Sequence, residues 1–452
     1  RKEYDARGGG GPPLDPVGYG SVLNYGLFAG ASSGRDYALD GIGFNGASAT
    51  LDHIVYSPAG TLANGWIIGE NLSGDLPVLR LDSTWTTTFR EQMTVAAVGD
   101  IVSGGLAWTR PIRLGGVQVR RNFGVRPDLV TMPLPSFSGS AAVPSTVDVY
   151  VNNVRAFSQD VTGGPFLLNN VPVAAGSGEA RVVVRDASGR ESETISTFST
   201  SPDLLREGLL DFSVEAGFAR RGYGVRSFDY EESPVAVSSM RYGMSNRFTA
   251  AAHGEAGGGL LNASAGGILS LGQAGTLEGA VSGSLLDGKS GFQLMGQYEG
   301  GIGPLSITLS SQRAFGSYRD LAYVASLSPG LSEDEIISLR PNLATDRIGL
   351  GMALPNGRGS LAANVLHIED SDGQHSFFLS SNYTRGLWNG ATLSFSAYVS
   401  LDGRNNAGAS LDLSFPFGIY GYASVSGSGD SGGARASASI SRPQNGGDGS
   451  VG

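Results

Sequence analysis

Asp211-Phe-Ser-Val-Glu-Ala-Gly-Phe-Ala219 decides the fold. Phe212, Val214, Ala216 and Phe218 alternate with Asp211, Ser213, Glu215 and Gly217. Successive side chains of a strand point to opposite faces, so this segment is apolar on one side and polar on the other. The pattern recurs along the chain. Leu305, Ile307 and Leu309 alternate with Ser306, Thr308 and Ser310. Leu393, Phe395, Ala397, Val399 and Leu401 alternate with Ser394, Ser396, Tyr398 and Ser400; Ala434, Ala436, Ala438 and Ile440 alternate with Arg435, Ser437, Ser439 and Ser441. Asp287-Gly288, Asn356-Gly357, Asp372-Gly373, Asn389-Gly390 and Asp402-Gly403 punctuate the series. Asn or Asp before Gly tolerates the positive φ of tight hairpins. From Glu207 onward the alternation predicts roughly fifteen strands, with about six more before residue 125.

A soluble sandwich would bury the apolar face, and a membrane barrel would turn it to lipid. The polar face is rich in Ser, Thr, Gly and Asn, small groups suited to a wet interior. A long serial meander also has two open edges unless it closes, and lipid demands closure. Composition agrees: 452 residues, 40% hydrophobic, 16% charged and 70 glycines. That is charge-poor for a soluble chain, yet not apolar enough for a helical membrane protein. The one uncharged stretch long enough to cross as a helix, Ala256–Leu277, is crowded with Gly, Ser and Asn. It breaks better into two strands around Gly272–Gly275. The expected fold is an all-β, large transmembrane antiparallel barrel.

Val125–Ser201 has a different texture. It carries Pro127, Pro133, Pro135, Pro144, Pro165 and Pro172, and ends at Pro202. Val147, Val149 and Val151 alternate, then Ala180, Val182 and Val184, with a turn at Asp186-Ala-Ser-Gly189. This predicts a compact β-sandwich of domain size, inserted between barrel strands. The expected division is residues 1–124 for the first barrel strands, 125–203 for the insert and 204–452 for the rest. One helix is predicted at Ser332–Arg340, where Ser332 and Glu335 make a capping box and Glu333, Asp334 and Glu335 suit the positive end of the dipole.

Other strings look chemical without the context chemistry needs. Gly41–Gly46 spells a dinucleotide fingerprint but is followed by a strand-like run, not a helix. Gly30–Gly34 spells a nucleophile elbow but separates two strands. His367 and His375 bracket Glu369, Asp370 and Asp372, which reads as an exposed acidic hairpin tip without calcium-loop spacing. No carboxylate pair or His cluster points to catalysis, so no enzyme, cofactor or metal centre is expected. The net charge of -10 argues against nucleic-acid binding. With no cysteine, disulfides and thiolate metal sites are excluded.

Specific segments resemble the fimbrial outer-membrane ushers of the chaperone–usher pathway. Tyr19-Gly-Ser-Val-Leu-Asn-Tyr25 resembles the family's opening barrel strand. Val98-Gly-Asp-Ile101 with Arg110 and Phe123 resembles the approach to its plug domain. Gly163-Gly-Pro-Phe166 with Asn169 and Val171, and Gly178–Val184 with Asp186 and Gly189, resemble plug segments. Leu204-Leu-Arg-Glu-Gly208 resembles the exit from plug to barrel. Ser311-Gln-Arg313, Tyr318-Arg319 and Leu413-Ser-Phe-Pro-Phe-Gly418 resemble later barrel segments. The resemblance implies a barrel of about two dozen strands, an Ig-like plug in its lumen, and export of folded pilus subunits delivered by a periplasmic chaperone. Outer-membrane lipid and a second copy are further implied partners. It also implies that this chain is a piece of a longer one, lacking recruiting domains and the last strands. An inward hairpin at Leu76–Gly99 and the helix at Ser332–Arg340 would hold the plug. Glu333, Asp334, Glu335 and Arg340 would then face plug arginines such as Arg155, Arg181 and Arg185. The alternatives are another plugged outer-membrane transporter, or a secreted all-β adhesin.

Overall fold

Alternation of period two gives each strand two unlike faces, and the computed structural model shows where they go. It describes residues 2–5, 18–30, 38–39, 42–43, 46–69, 78–151, 154–173, 176–186, 190–401, 406–417, 421–430 and 432–441. Twenty strands form one antiparallel sheet that comes round into a barrel. Six precede the insert, from Gly20–Gly30 to Arg113–Arg121, and fourteen follow it, from Leu210–Arg220 to Gly433–Ser441. Each strand pairs with the next barrel strand along the chain, and Arg113–Arg121 pairs with Leu210–Arg220 across the insert. Gly20–Gly30 and Gly433–Ser441, the first and last of the series, each have one registered partner among the described residues.

The faces are inverted relative to a soluble protein. On Thr276–Leu286, Leu277, Val281 and Leu285 are exposed, while Thr276, Glu278, Ser282 and Ser284 are buried. On Leu210–Arg220, Val214 and Phe218 are exposed, while Ser213 and Glu215 are buried. The apolar face therefore looks outward and the polar face lines the lumen, the arrangement of a membrane barrel. The Ala256–Leu277 stretch divides as expected, into Leu260–Ser270 and Thr276–Leu286 with a short turn at Gly272–Ala274. Asp287 and Gly288 have φ of 49° and 77°, as a two-residue hairpin between Leu286 and Lys289 requires. Asn356-Gly357 and Asn389-Gly390 adopt the same conformation; Asp402-Gly403 lies outside the described residues. So do residues 31–34 of the elbow string and Gly41, Phe44 and Asn45 of the fingerprint string.

The two rims differ. One carries the connections 31–45, 70–77, 103–112, 221–229 and 317–343, together with a few tight turns. The other carries the turns 58–59, 90–93, 246–247, 271–275 and 303–304, and the insert at 122–209. The insert is a two-layer sandwich. Val154–Val161, Ser145–Val151, Gly176–Asp186 and Glu191–Thr200 form one sheet; Lys2–Asp5, Gly164–Asn169 and Phe137–Ala141 form the other. Phe137, Val147, Val149, Phe166, Leu168, Val182 and Phe198 fill the space between them, so the sandwich has a core of its own. Glu191–Thr200 lies against the Gly272–Ala274 turn and Gly176–Asp186 against Lys289–Ile302.

On the outer face at the long-loop rim, residues 221–229 fold back over a buried ionic cluster. Arg220 meets Asp100 and Asp82, each at 3.0 Å, and Arg80 also pairs with Asp100. Tyr230 donates to Asp100 Oδ1 at 2.5 Å. A bulge between Phe218 and Arg220 shifts the register so that Arg220 stands opposite Tyr230. His367 and His375 lie on two adjacent strands, with Nε2 and Nδ1 3.0 Å apart and the His367 ring stacked on Phe377. Asp370 accepts from the backbone of Asp372 and Gln374, which closes the hairpin tip.

The outward face makes a direct prediction. Val281→Arg, near the middle of its strand, is expected to destabilise the barrel by about 2–4 kcal/mol in a bilayer. Denaturant unfolding in lipid vesicles checks it; a neutral effect contradicts a lipid-facing Val281.

Candidate functional site

The described inner wall is unevenly covered. Strands between Thr94 and Ile302 bury many polar side chains, whereas strands from Leu305 to Ser441 bury few. Two segments from the long-loop rim cause the difference. They are residues 103–112 and the helix α1, Leu321–Ser326.

Residues 103–112 leave the wall and cross the lumen. Ser103 and Ile112 close the neck: the Ser103 N–H donates to Ile112 O at 2.9 Å, and the Ile112 N–H donates to Ser103 Oγ at 3.0 Å. Glu215, 1% exposed, accepts from the Gly104 N–H at 2.9 Å and from Gln118 Nε2 at 2.8 Å. A Cβ on Gly104 would lie 2.5 Å from Ser213 Cβ, so only glycine allows this approach. At the far end Trp108 Nε1 donates to Ser264 Oγ at 2.9 Å, and Gln293 Nε2 donates to Trp108 O at 3.0 Å. Trp108 packs with Ala251 and Met295. Gln293 lies six strands along the wall from Arg113–Arg121, about 29 Å at ordinary strand spacing, so the loop reaches it across the interior.

Helix α1 is the second inward segment. Its six residues are too few for a helix to persist alone. Asp320 is its N-cap, accepting from the Tyr323 N–H at 3.0 Å. Glu255 Oε2 accepts from the Leu321 N–H at 2.9 Å and from Asn262 Nδ2 at 2.8 Å. Two carboxylates thus meet the orphan N–H groups of one helix end. Leu321 is fully buried among Ile101, Ile112, Leu114, Val235 and Leu260. Arg110 joins the two segments, with Nε and Nη2 each 2.5 Å from the two oxygens of Asp320. Beside it, burial pushes the Tyr318 hydroxyl up to about 12, so it stays a neutral partner for Asn262.

The sandwich rejoins the barrel at the opposite rim through Leu204-Leu-Arg-Glu-Gly208. The Leu205 N–H donates to Thr249 Oγ1 at 2.8 Å, the Glu207 N–H to Asn246 Oδ1 at 3.1 Å and the Gly208 N–H to Gly243 O at 2.8 Å. Leu204 and Leu205 are buried. The return linker is therefore strapped to the rim.

The residues named from the resemblance fall elsewhere. The expected helix exists as α2, Glu333–Ser338, with its capping box complete. Ser371 Oγ donates to Ile337 O at 2.7 Å, which ties α2 to the 370–374 turn. Glu333 and Asp334 are exposed, and Glu335 is turned back onto Ser332, whose hydroxyl lowers its pKa. Arg340 is held by its backbone to Ile337, and its charge, after burial, helps lower the Arg319 pKa. Arg155, Arg181 and Arg185 pair within the sandwich, with Asp148, Glu193 and Glu191. The structure does not bring them to α2. The hairpin also shifts. Val78–Phe89 and Thr94–Val102 are wall strands, each registered with both neighbours, and the inward segment is 103–112. Asp320 followed by Leu-Ala-Tyr-Val-Ala was the available signal for α1. Trp108 offered none, because Ser264 and Gln293 are remote in sequence.

Gly266 tests the luminal seat of Trp108. A Cβ there would stand 2.8 Å from Trp108 Cη2. Gly266→Val, with Trp66, Trp85 and Trp388 replaced by Phe, is expected to red-shift Trp108 emission and increase its quenching by acrylamide. An unchanged spectrum contradicts the contact.

A family model described as "Outer membrane usher protein" matches residues 92–300, which include the inward loop, the sandwich and the strapped linker. The outer membrane usher protein FasD of Escherichia coli is 30% identical over 115 residues, 25% of this chain and 14% of that protein. PefC of Salmonella typhimurium is 27% identical over 189 residues, 39% of this chain and 23% of that protein. The matched stretches thus span less than a quarter of these relatives. An E. coli P pilus tip assembly intermediate, PapC-PapD-PapK-PapG, contains a chain of the same fold: TM-score 0.58 and 17% identity over 91% of this chain and 52% of that one. The family model and the curated relatives agree: over these stretches the chain is similar to outer membrane ushers.

Proposed function

We propose that this chain is the pore of a bacterial outer-membrane usher, exporting and assembling pilus subunits brought by a periplasmic chaperone, with residues 125–203 as its plug. The observation that carries the proposal is the place of the insert. A sandwich with its own core hangs by strapped linkers from one rim of a barrel with a polar lumen. Short turns face the periplasm and long loops the exterior in bacterial barrels. The plug then meets the periplasmic mouth, where subunits arrive. The likeness to the P pilus intermediate supports the fold of such a pore. Outer-membrane lipid covers the apolar face, and a second copy is a further partner of the proposal.

The inward loop and α1 narrow one side of the lumen and leave the wall from Leu305 onward open. They form a latch that keeps this side fixed while the plug moves on the other. Arg110 and Asp320 join its two parts. The acids of α2 remain candidates to meet Arg155, Arg181 or Arg185 when the plug moves.

Two recordings in planar bilayers test the proposal. Replacing residues 125–203 with a short Gly-Ser turn is expected to raise resting conductance by about tenfold or more, a shift of about 1.4 kcal/mol in the closed state. Unchanged conductance overturns the plug assignment. Arg110→Ala is expected to increase spontaneous openings by a similar factor, with Arg110→Lys intermediate because lysine cannot form the double hydrogen bond. Glu333→Gln with Asp334→Asn is expected to change resting conductance little. If it matches Arg110→Ala, the latch lies at α2 instead.

A further inference from the structure

Before the first barrel strand, Lys2–Asp5 forms a parallel strand on the sandwich. Lys2 registers with Phe166, Glu3 with Leu167, Tyr4 with Leu168 and Asp5 with Asn169. The partners are some 160 residues apart in sequence, a tertiary pairing and not a local turn.

The strand it covers needs covering. Gly164-Pro-Phe-Leu-Leu-Asn169 carries no charge, and its Phe166 and Leu168 are in the sandwich core. Phe137–Ala141 pairs along its other side. Without Lys2–Asp5, one row of its N–H and C=O groups would be an open edge. Edges are normally protected by charge, proline or a bulge, and here only Pro165 at one end does so. An extended segment is the partner such an edge takes.

The geometry also ties the segment to the pore. Gly20, where the first barrel strand begins, is at the short-turn rim, the same rim as the exit and return of the sandwich. The link from Asp5 to Gly18 can span at most about 45 Å when fully extended. The sandwich is thus anchored at three points on one rim: its two linkers and this strand. A four-residue pairing is short for a strand, which makes it the weakest of the three.

We propose that Lys2–Asp5 is a releasable clasp on the plug: it closes the edge of Gly164–Asn169 in the resting position, and plug movement requires it to part. This rests on the plug reading of the sandwich. The occupant is this chain's own segment, not that of a second copy.

The chain has no cysteine, so an introduced pair reports cleanly. Glu3→Cys with Leu167→Cys places two sulfurs on registered neighbours, at a spacing a disulfide tolerates. Oxidation of the whole chain in outer membranes is expected to give an intramolecular bond, seen as a reductant-sensitive mobility shift. In bilayers the oxidised protein is expected to open about tenfold less often than the reduced one. Failure to cross-link, or cross-linking only between two copies, overturns the clasp. An intramolecular bond that leaves gating unchanged overturns its release during opening. The cross-link is read without any pore assay, and the deletion of residues 125–203 tests the plug without the clasp, so the two failures are distinguishable.

Discussion

In the hydrocarbon layer no backbone N–H or C=O can be left unpaired, and everything in this chain follows from that constraint. Each strand must give both edges to its neighbours, which produces the serial antiparallel sheet. Once the apolar face turns outward, the polar residues have nowhere to go but the lumen. Ser213, Glu215, Asn262, Ser264 and Gln293 are buried there because other parts of the chain come in to meet them. A soluble protein is held together by its apolar core; the interior of this barrel is held by hydrogen bonds.

That inversion explains how the inward segments are fastened. Residues 103–112 use a backbone N–H on Glu215, an indole N–H on Ser264 and a guanidinium on Asp320. Asp320 does two things at once, capping α1 and binding Arg110. Removing either partner leaves a charge in a partly desolvated place, so the pair resists being opened even though its net contribution to stability is small. A small apolar cluster around Leu321 and Leu114 supports it where the strands reach the long-loop rim.

The sandwich is held in a different manner. Its core is complete without the barrel, and among the described residues its main contacts with the wall are with one turn and one strand. It is positioned by linkers, of which the return through Leu204 and Leu205 is buried against the rim. A body with its own core on short straps can change position without unfolding, whereas the inward loop and α1, bonded to side chains of the wall, cannot move without breaking those bonds.

Much was legible in the sequence, because alternation is a local property. The strands at Asp211–Ala219 and Ala434–Ser441, the Asp287-Gly288 hairpin and the Ser332–Glu335 capping box appear within a residue or two of their expected places. The outward turn of the apolar face followed from the kind of polar residue opposite it. What the sequence could not determine is who meets whom across the lumen. Trp108 and Ser264 are 156 residues apart and Arg110 and Asp320 are 210 apart, and neither pair has a periodicity to announce it. The resemblance placed the inward hairpin one strand pair too early and its partner on α2. The wall pairs 78–102 into itself and sends 103–112 inward, and α1 takes the contact. Facing across a barrel depends on the curvature and stagger of the whole sheet, which only tertiary structure supplies.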